Sequence, residues 1–508
     1  MPDERTPPDG SPDIHFPRAH VRPPHNWVND PNGLVHHDGH YHVYFQYNPY
    51  GTEHAHMHWG HYRSPDLLHW EPLPVALGPS PDGDDADGVW SGNAVEAGGE
   101  LVAFYSAKRS DRWWQPVTSA RSHDGGLTFS KHAVPLIPEA PSGTTMFRDP
   151  YVWRDGERWR MLVGSALDDG RAAAQHYVSE DLEHWEHTGP FLARLPEPLP
   201  GGGTTENGWE CVQYAALGGR RGALLLSAWH PEGGAARTAV YTGEDQETSF
   251  LAGDPQLLDH GPDFYAPAVM AVPDGPSRTR WLMWAWSWEA RDAERVGGYS
   301  AWTEEVGWAG MLTLPREIEL GTDGHLTQRP AHEMDLLRGD MFLDAVTTVT
   351  SHEARELART GRAFDLTARL ERTAHGAAGI RLVTSEDGTE YLDIGLDPDS
   401  GDLVADRNRA SLDPRAAGGS WRIPGAARPG RSVGLRVLVD HSVAEIFLDD
   451  GRALTLRFYP TGPTPWRLRG TSAGSGAAGV EVCAWHLKSL RDGHAPMASS
   501  PPTRRTNA

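Results

Sequence analysis

Along the first two thirds of the chain the apolar residues fall into short strands rather than helical stripes, and the strands come in pairs built on one plan. Each pair opens on a polar or small residue, runs through a few apolar positions, crosses a Gly- or Asp-rich turn and enters a second, more aromatic strand. Five such pairs follow one another: Asp30-Pro-Asn-Gly-Leu-Val with Tyr41-His-Val-Tyr-Phe-Gln, Ser91-Gly-Asn-Ala-Val with Leu101-Val-Ala-Phe-Tyr, Asp149-Pro-Tyr-Val-Trp with Trp159-Arg-Met-Leu-Val, Glu210-Cys-Val-Gln-Tyr with Ala223-Leu-Leu-Leu-Ser, and Ala266-Pro-Ala-Val-Met with Trp281-Leu-Met-Trp-Ala. Their starts recur roughly every 60 residues, enough for a four-stranded blade, and a repeat of that length signals a β-propeller. A second repeat, Ser64-Pro-Asp-Leu-Leu-His-Trp70 and Ser179-Glu-Asp-Leu-Glu-His-Trp185, with a looser relative at Ser122 to Phe129, predicts a turn followed by an outer strand whose aromatic packs between blades.

After about Thr327 the repeat stops. From Phe364 onward the alternation has a period of two, with strands at Ile380 to Val383, Tyr391 to Gly395, Val433 to Val439 and Ala444 to Leu448, and an Asp449-Asp-Gly turn. The expected architecture is all-β: a disordered N-terminal tail over 1–20, a five-bladed propeller over 21–330, a β-sandwich over 340–491 and a disordered tail over 492–508.

Composition agrees, with 56 Gly, 41 Pro and 20 Trp in 508 residues favouring short strands and tight turns over long helices. The formal net charge of -23 repels phosphate backbones and anionic lipid headgroups, which argues against nucleic-acid and membrane partners and leaves a neutral substrate unaffected. With no apolar run near the ~18 residues of a membrane span and no signal-peptide core, a cytoplasmic location is expected. Two cysteines, Cys211 and Cys483, cannot make a disulfide framework.

The innermost strand of a propeller blade lines the central channel, so the polar residues opening the repeats are expected to face one funnel. Asp30, Asp149 and Glu210 are read as occupying the same position in three repeats. Converging carboxylates repel, so one tends to hold a proton while another stays ionised, the division of labour that glycoside hydrolysis requires. Arg148 is expected to keep Asp149 ionised. Glu210, between Trp209 and Cys211, is the better acid, and Asp30, held by a rigid Pro, the better nucleophile.

The stretch Pro24-His-Asn-Trp-Val-Asn-Asp-Pro-Asn-Gly33, followed by Phe147-Arg-Asp-Pro150 and Trp209-Glu-Cys211, resembles glycoside hydrolase family 32, the invertases, inulinases and levanases. Tyr41 to Pro49, Trp59-Gly-His61, Trp90-Ser-Gly-Asn93, Asp263 to Pro267, Leu314-Pro-Arg-Glu-Ile318 and Val439-Asp-His-Ser-Val-Ala-Glu-Ile-Phe447 extend the resemblance over most of the chain. It implies a retaining β-fructosidase acting on sucrose or short fructans, with Asp30 as nucleophile, Glu210 as acid/base and Asp149 as transition-state stabiliser. It also implies Asn29, Gln46, Ser91 and Arg148 around the bound fructose; Trp90 and His54 are further substrate-binding candidates, and no cofactor and no metal are expected. Retention requires nucleophile and acid/base about 5–5.5 Å apart.

Two positions depart from the family pattern: His54-Ala-His56 replaces Trp-Gly-Asn, and Val212-Gln213 replaces Pro-Asp after Glu-Cys. His54, His56 and His58 alternate and would share one strand face as metal ligands might. A polar loop or a sugar-contacting rim are the other readings. Cys211 is read as a packed thiol, and Trp70 and Trp185 as inter-blade core. Rival activities are exo-acting levanase or inulinase, fructosyl transfer, inverting hydrolysis of the family 43 type, and an inactive fructan-binding lectin. The sequence leaves the oligomeric state open.

Overall fold

A computed structural model describes residues 13–275, 278–291, 300–351 and 354–490. Among them the regular structure is strand almost throughout, with one short α-helix at Ala301–Val306 and one 3-10 turn at His332–Leu337. Five antiparallel sheets form a ring, their innermost strands Asn26–His37, Gly88–Ala97, Thr144–Asp155, Gly208–Gly218 and Tyr265–Asp274. The second strand of each blade is covered on both faces by neighbouring blades, which is why Ala223 to Leu226 can be an unbroken apolar run, all fully buried. Trp70 meets Trp284 of the fifth blade edge-on at 6.5 Å, and Trp185 meets Phe104 of the second at 5.9 Å, as inter-blade packing requires.

The Ser-x-Asp repeat has a structural cause. Asp66 and Asp181 accept the backbone N–H groups of His69 and His184, each at 2.8 Å, while Leu67 and Leu182 take left-handed φ values of 64° and 68°. The following indoles, Trp70 and Trp185, donate to the carbonyls of those leucines at 2.9 and 3.1 Å. Each turn thus aims its Trp at the adjoining blade. The ring closes where Trp308–Ala309, in the connection between the second and third strands of the fifth blade, pairs in parallel with Asn26 and Trp27 of the first.

The C-terminal region is a two-layered sandwich, one layer running from Arg338–Val349 through Ala478–Leu487, Ala363–Arg372, Arg431–Asp440 and Val443–Leu448 to Ala453–Arg457, the other centred on Gly376–Val383 and Trp466–Gly474. Leu370, Leu403, Ile446, Leu454 and Trp466 fill the space between them. The Asp449-Asp-Gly turn joins Val443–Leu448, which was expected, to Ala453–Arg457, a strand not named from the sequence.

Residues 13–20, expected to belong to a disordered tail, are instead a strap laid along the seam between propeller and sandwich. Asp440 explains this: one oxygen accepts the Arg18 N–H at 3.0 Å and the other the Ala19 N–H at 2.7 Å. His20 is buried between Asp440 at 2.8 Å and Glu445 at 3.0 Å. Residues 1–12 and 491–508, which hold the rest of both expected tails, lie outside the described residues.

Burial alone would lower the pKa of His20, but hydrogen bonds to Asp440 and Glu445 and their negative charges outweigh it and raise the value to about 9. A folded-state pKa above the unfolded one contributes stability that is complete below about pH 6.5 and lost as pH rises through about 9. Urea unfolding measured from pH 6.5 to 9.5 is therefore expected to show falling stability, and His20→Gln is expected to flatten that slope.

Candidate active site

Every innermost strand carries a bulge near its start. The pairing register slips between Val28 and Pro31, Val89 and Gly92, Arg148 and Pro150, Glu210 and Gln213, and Tyr265 and Ala268. In a regular strand consecutive side chains face opposite sides, whereas a bulge sets two residues against one and re-aims a side chain. Five adjacent pairs are brought to one funnel in this way: Asn29-Asp30, Trp90-Ser91, Arg148-Asp149, Glu210-Cys211 and Tyr265-Ala266.

In the last three blades the bulge uses a left-handed residue, with φ of 65° at Asp149, 47° at Cys211 and 48° at Ala266. Such non-glycine conformations cost of order 1–3 kcal/mol each. Their amides are held: Asp149 donates to Ser106 Oγ at 2.7 Å, Cys211 to Asp149 Oδ2 at 3.0 Å, and Ala266 to Ser227 Oγ at 3.1 Å. The shared conformation corrects the repeat alignment. Cys211, not Glu210, is the counterpart of Asp149, and Glu210 stands one place earlier, level with Arg148 and Tyr265.

The side chains form two hydrogen-bonded groups side by side, one around Asp30 and Asp149 and one around Glu210. Gln46 Nε2 donates to Ser91 Oγ at 2.8 Å, and Ser91 donates to Asp30 Oδ2 at 2.5 Å. The Cys211 thiol lies 3.6 Å from both Asp30 Oδ2 and Asp149 Oδ2. Arg148, expected to keep Asp149 ionised, instead donates twice to Glu210 Oε1, at 2.9 and 2.7 Å. The bulge turns the two neighbours apart, so the cation reaches across to the next blade. Tyr265 Oη donates to Glu210 Oε2 at 2.8 Å. Asn29 bonds Asp30 and accepts from Trp27 Nε1 at 2.8 Å. Gln46 Oε1 is buried with no hydrogen-bond partner among the described residues, an acceptor left over for a ligand hydroxyl.

Electrostatics follow from burial. Desolvation raises the pKa of Asp30, and the Glu210 charge adds to it against hydrogen bonds from Ser91 and Asn29. Desolvation is also the largest cause at Asp149, and with the charges of Glu210 and Asp30 it prevails over Arg148 and pushes that carboxyl up to about 7. Three acids in one pocket oppose one another's ionisation, so the cluster keeps a proton to near-neutral pH. Burial and the surrounding carboxylates hold the Cys211 thiol well above its usual range, which leaves it protonated and unfit as a nucleophile.

Around the mouth, His54 meets Trp27 and Trp90 edge-on at 6.0 and 5.4 Å, the Lys108 ammonium lies 5.5 Å from the Trp90 ring centre, and Arg148 covers Trp229 at 4.9 Å. The three alternating histidines do not converge: His56 is exposed with φ of 50°, and His58 Nδ1 engages the His56 carbonyl at 2.6 Å. Val212 is buried in the inter-blade core, and Gln213 Oε1 accepts the Val269 N–H at 3.2 Å and so ties the fourth blade to the fifth. Tyr265, Ser106, Ser227, Lys108 and Trp229 were not singled out in the sequence. Tyr265 had a signal, since it immediately precedes the fifth repeat.

Carboxylates converging in the funnel of a five-bladed propeller, with a guanidinium and hydroxyl donors fixed upon them and aromatic walls above, define a glycoside hydrolase. Residues 20–330 match the family model described as Glycosyl hydrolases family 32 N-terminal domain, and residues 335–485 the one described as Glycosyl hydrolases family 32 C terminal. A sucrose-6-phosphate hydrolase of Zymomonas mobilis is 32% identical over 477 residues, covering 88% of this chain and 87% of the relative. A raffinose invertase of Escherichia coli is 32% identical over 466 residues, covering 88% and 90%. Among solved structures, the GH32 beta-fructofuranosidase of Bombyx mori superposes with a TM-score of 0.76 at 26% identity, covering 94% of this chain and 95% of its own. The chain belongs to glycosyl hydrolase family 32.

Proposed function

We propose that the chain is a retaining β-fructosidase that cleaves terminal β-D-fructofuranosyl linkages in sucrose or short fructans through a fructosyl-enzyme intermediate. The observation carrying this reading is the convergence of three carboxylates from three blades: Asp30 and Asp149 bridged by the Cys211 thiol, and Glu210, held by Arg148 and Tyr265, close enough for its charge to act on both. The relatives named sucrose-6-phosphate hydrolase and raffinose invertase support it.

Asp30 Oδ2 is engaged by Ser91 and Cys211, which leaves Oδ1 to attack the anomeric carbon. Sugar hydroxyls donating to Asp149 favour its ionised form, so the proton of the cluster passes to Glu210, which gives it to the leaving oxygen. The negative charge on Asp149 then faces the oxocarbenium-like transition state. In the second half Glu210 takes a proton from water, and the resulting hydroxide displaces Asp30 to release fructose. Asn29, Gln46, Ser91 and Arg148 orient the ring, and Trp90 and His54 wall the leaving-group side.

Following sucrose hydrolysis by NMR tests the proposal. β-Fructofuranose is expected as the first product, before mutarotation. An α anomer formed first would mean inversion, and no turnover of sucrose, inulin or levan would favour a lectin. The kcat/KM profile is expected to have an alkaline limb near pH 7, where the cluster loses its last proton. Glu210→Gln is expected to abolish that limb on an activated aryl fructoside.

A further inference from the structure

Most cationic side chains of this acidic protein sit against carboxylates, as Arg160 does on Asp245 and Arg316 on Glu445. Three that do not lie together. Arg18, Arg362 and Lys488 line one cavity of about 240 Å³, with His441 and His486 beside them. It opens where four distant segments meet: the strap at Arg18 and Ala19, the turn at Gly361 to Ala363, the turn at Asp440 and His441, and the end of the last strand at His486 to Ser489.

The cations there are incompletely satisfied. Arg362 Nη2 donates to the Gly462 carbonyl at 2.9 Å and its guanidinium covers the Trp466 ring, but Nη1 has no hydrogen-bond partner among the described residues. Among the described residues Lys488 reaches only the Leu336 carbonyl, at 3.2 Å. The one carboxylate in the wall, Asp440, is turned inward and saturated by the Arg18 and Ala19 amides, His20 and His441. The wall therefore carries an excess of positive charge within a chain of net charge -23.

We propose that this seam is a binding site for a phosphate-class oxyanion, supplied either as orthophosphate or as the phosphate of a small sugar ester. Two guanidinium groups and an ammonium match the multiple acceptors and double charge of such a group. An extended polyanion would meet the repulsion of the rest of the surface. The ligand would bind the strap to the last strand, which already touch where the Leu490 amide donates to the Arg18 carbonyl at 2.9 Å.

Thermal unfolding and titration calorimetry at constant ionic strength test this, with potassium chloride replaced by potassium phosphate or glucose 6-phosphate. A saturable rise in Tm and a matching binding isotherm are expected for the wild type. Both are expected to fall at least about tenfold in apparent affinity for Arg18→Gln/Lys488→Gln, two exposed positions whose replacement should leave sucrose kcat/KM unchanged. Arg362→Gln should act likewise. Tighter binding of the ester would identify the sugar phosphate as the ligand, and tighter binding of orthophosphate the free ion. A response that follows ionic strength alone, or is the same in wild type and double variant, overturns the proposal.

Discussion

Asp30→Asn is expected to lower kcat on sucrose by at least about 10⁴-fold with little change in fold or Tm, because it removes the oxygen proposed to attack and retains the shape and the Ser91 hydrogen bond. Glu210→Gln is expected to behave differently. On sucrose, whose leaving group needs a proton, the loss should be on the order of 10²–10⁴-fold, the span usual for a general acid. On an aryl fructoside whose leaving group departs unaided, the first step should be largely preserved and a burst of phenol should appear, with azide accelerating release of the trapped fructosyl group. The two variants thus separate the two roles by substrate dependence rather than by the size of the loss. Equal losses on both substrates for Glu210→Gln would show that it is not the proton donor.

The largest loss of stability is expected from Arg316→Met. This guanidinium is fully buried between the domains, donating to Glu445 Oε2 at 3.1 and 2.6 Å, to Asp259 Oδ2 at 2.9 Å, to Gln328 at 2.7 Å and to Thr455 at 2.6 Å. Removing the cation strands two carboxylates away from water, and breaking even one buried pair costs about 3–5 kcal/mol. The urea midpoint should fall accordingly, or soluble protein should be lost. Arg63→Ala, which breaks the exposed pair with Glu71 at 2.7 Å, should cost less than about 1 kcal/mol. If the two variants unfold at the same urea concentration, the seam network does not hold the domains together.

Both ends of that ion pair were visible in the sequence, Arg316 within Leu314-Pro-Arg-Glu-Ile318 and Glu445 within Val439 to Phe447, yet nothing in the sequence joined them. Their partnership depends on how two domains dock, which local patterning does not encode. The blades were legible for the opposite reason: each is a local hairpin stack, and its turn chemistry, such as Asp66 and Asp181 on following amides, repeats in the chain itself. The funnel was legible to within one residue. Alternation of faces suggests that one member of Glu210-Cys211 must point away, and only the bulge, made by a left-handed Cys211, lets both serve. The sequence also concealed the reach of Arg148 to the next blade and the strap at 13–20, whose anchor Asp440 lies more than 400 residues later.

The pairing of Trp308 and Ala309 with Asn26 and Trp27 has a consequence for the life of the nascent chain. Asp30 emerges from the ribosome with the first blade, but the wall carrying Tyr265 and the strand that shuts the ring are made much later. At elongation rates of about 5–20 residues per second, the first blade waits on the order of 15–60 seconds for the neighbour that completes it. During that wait its inner edge is open to other polypeptides. Appearance of hydrolytic activity on stalled chains of increasing length would therefore time the moment at which the circle joins, with the enzyme's own turnover as the clock.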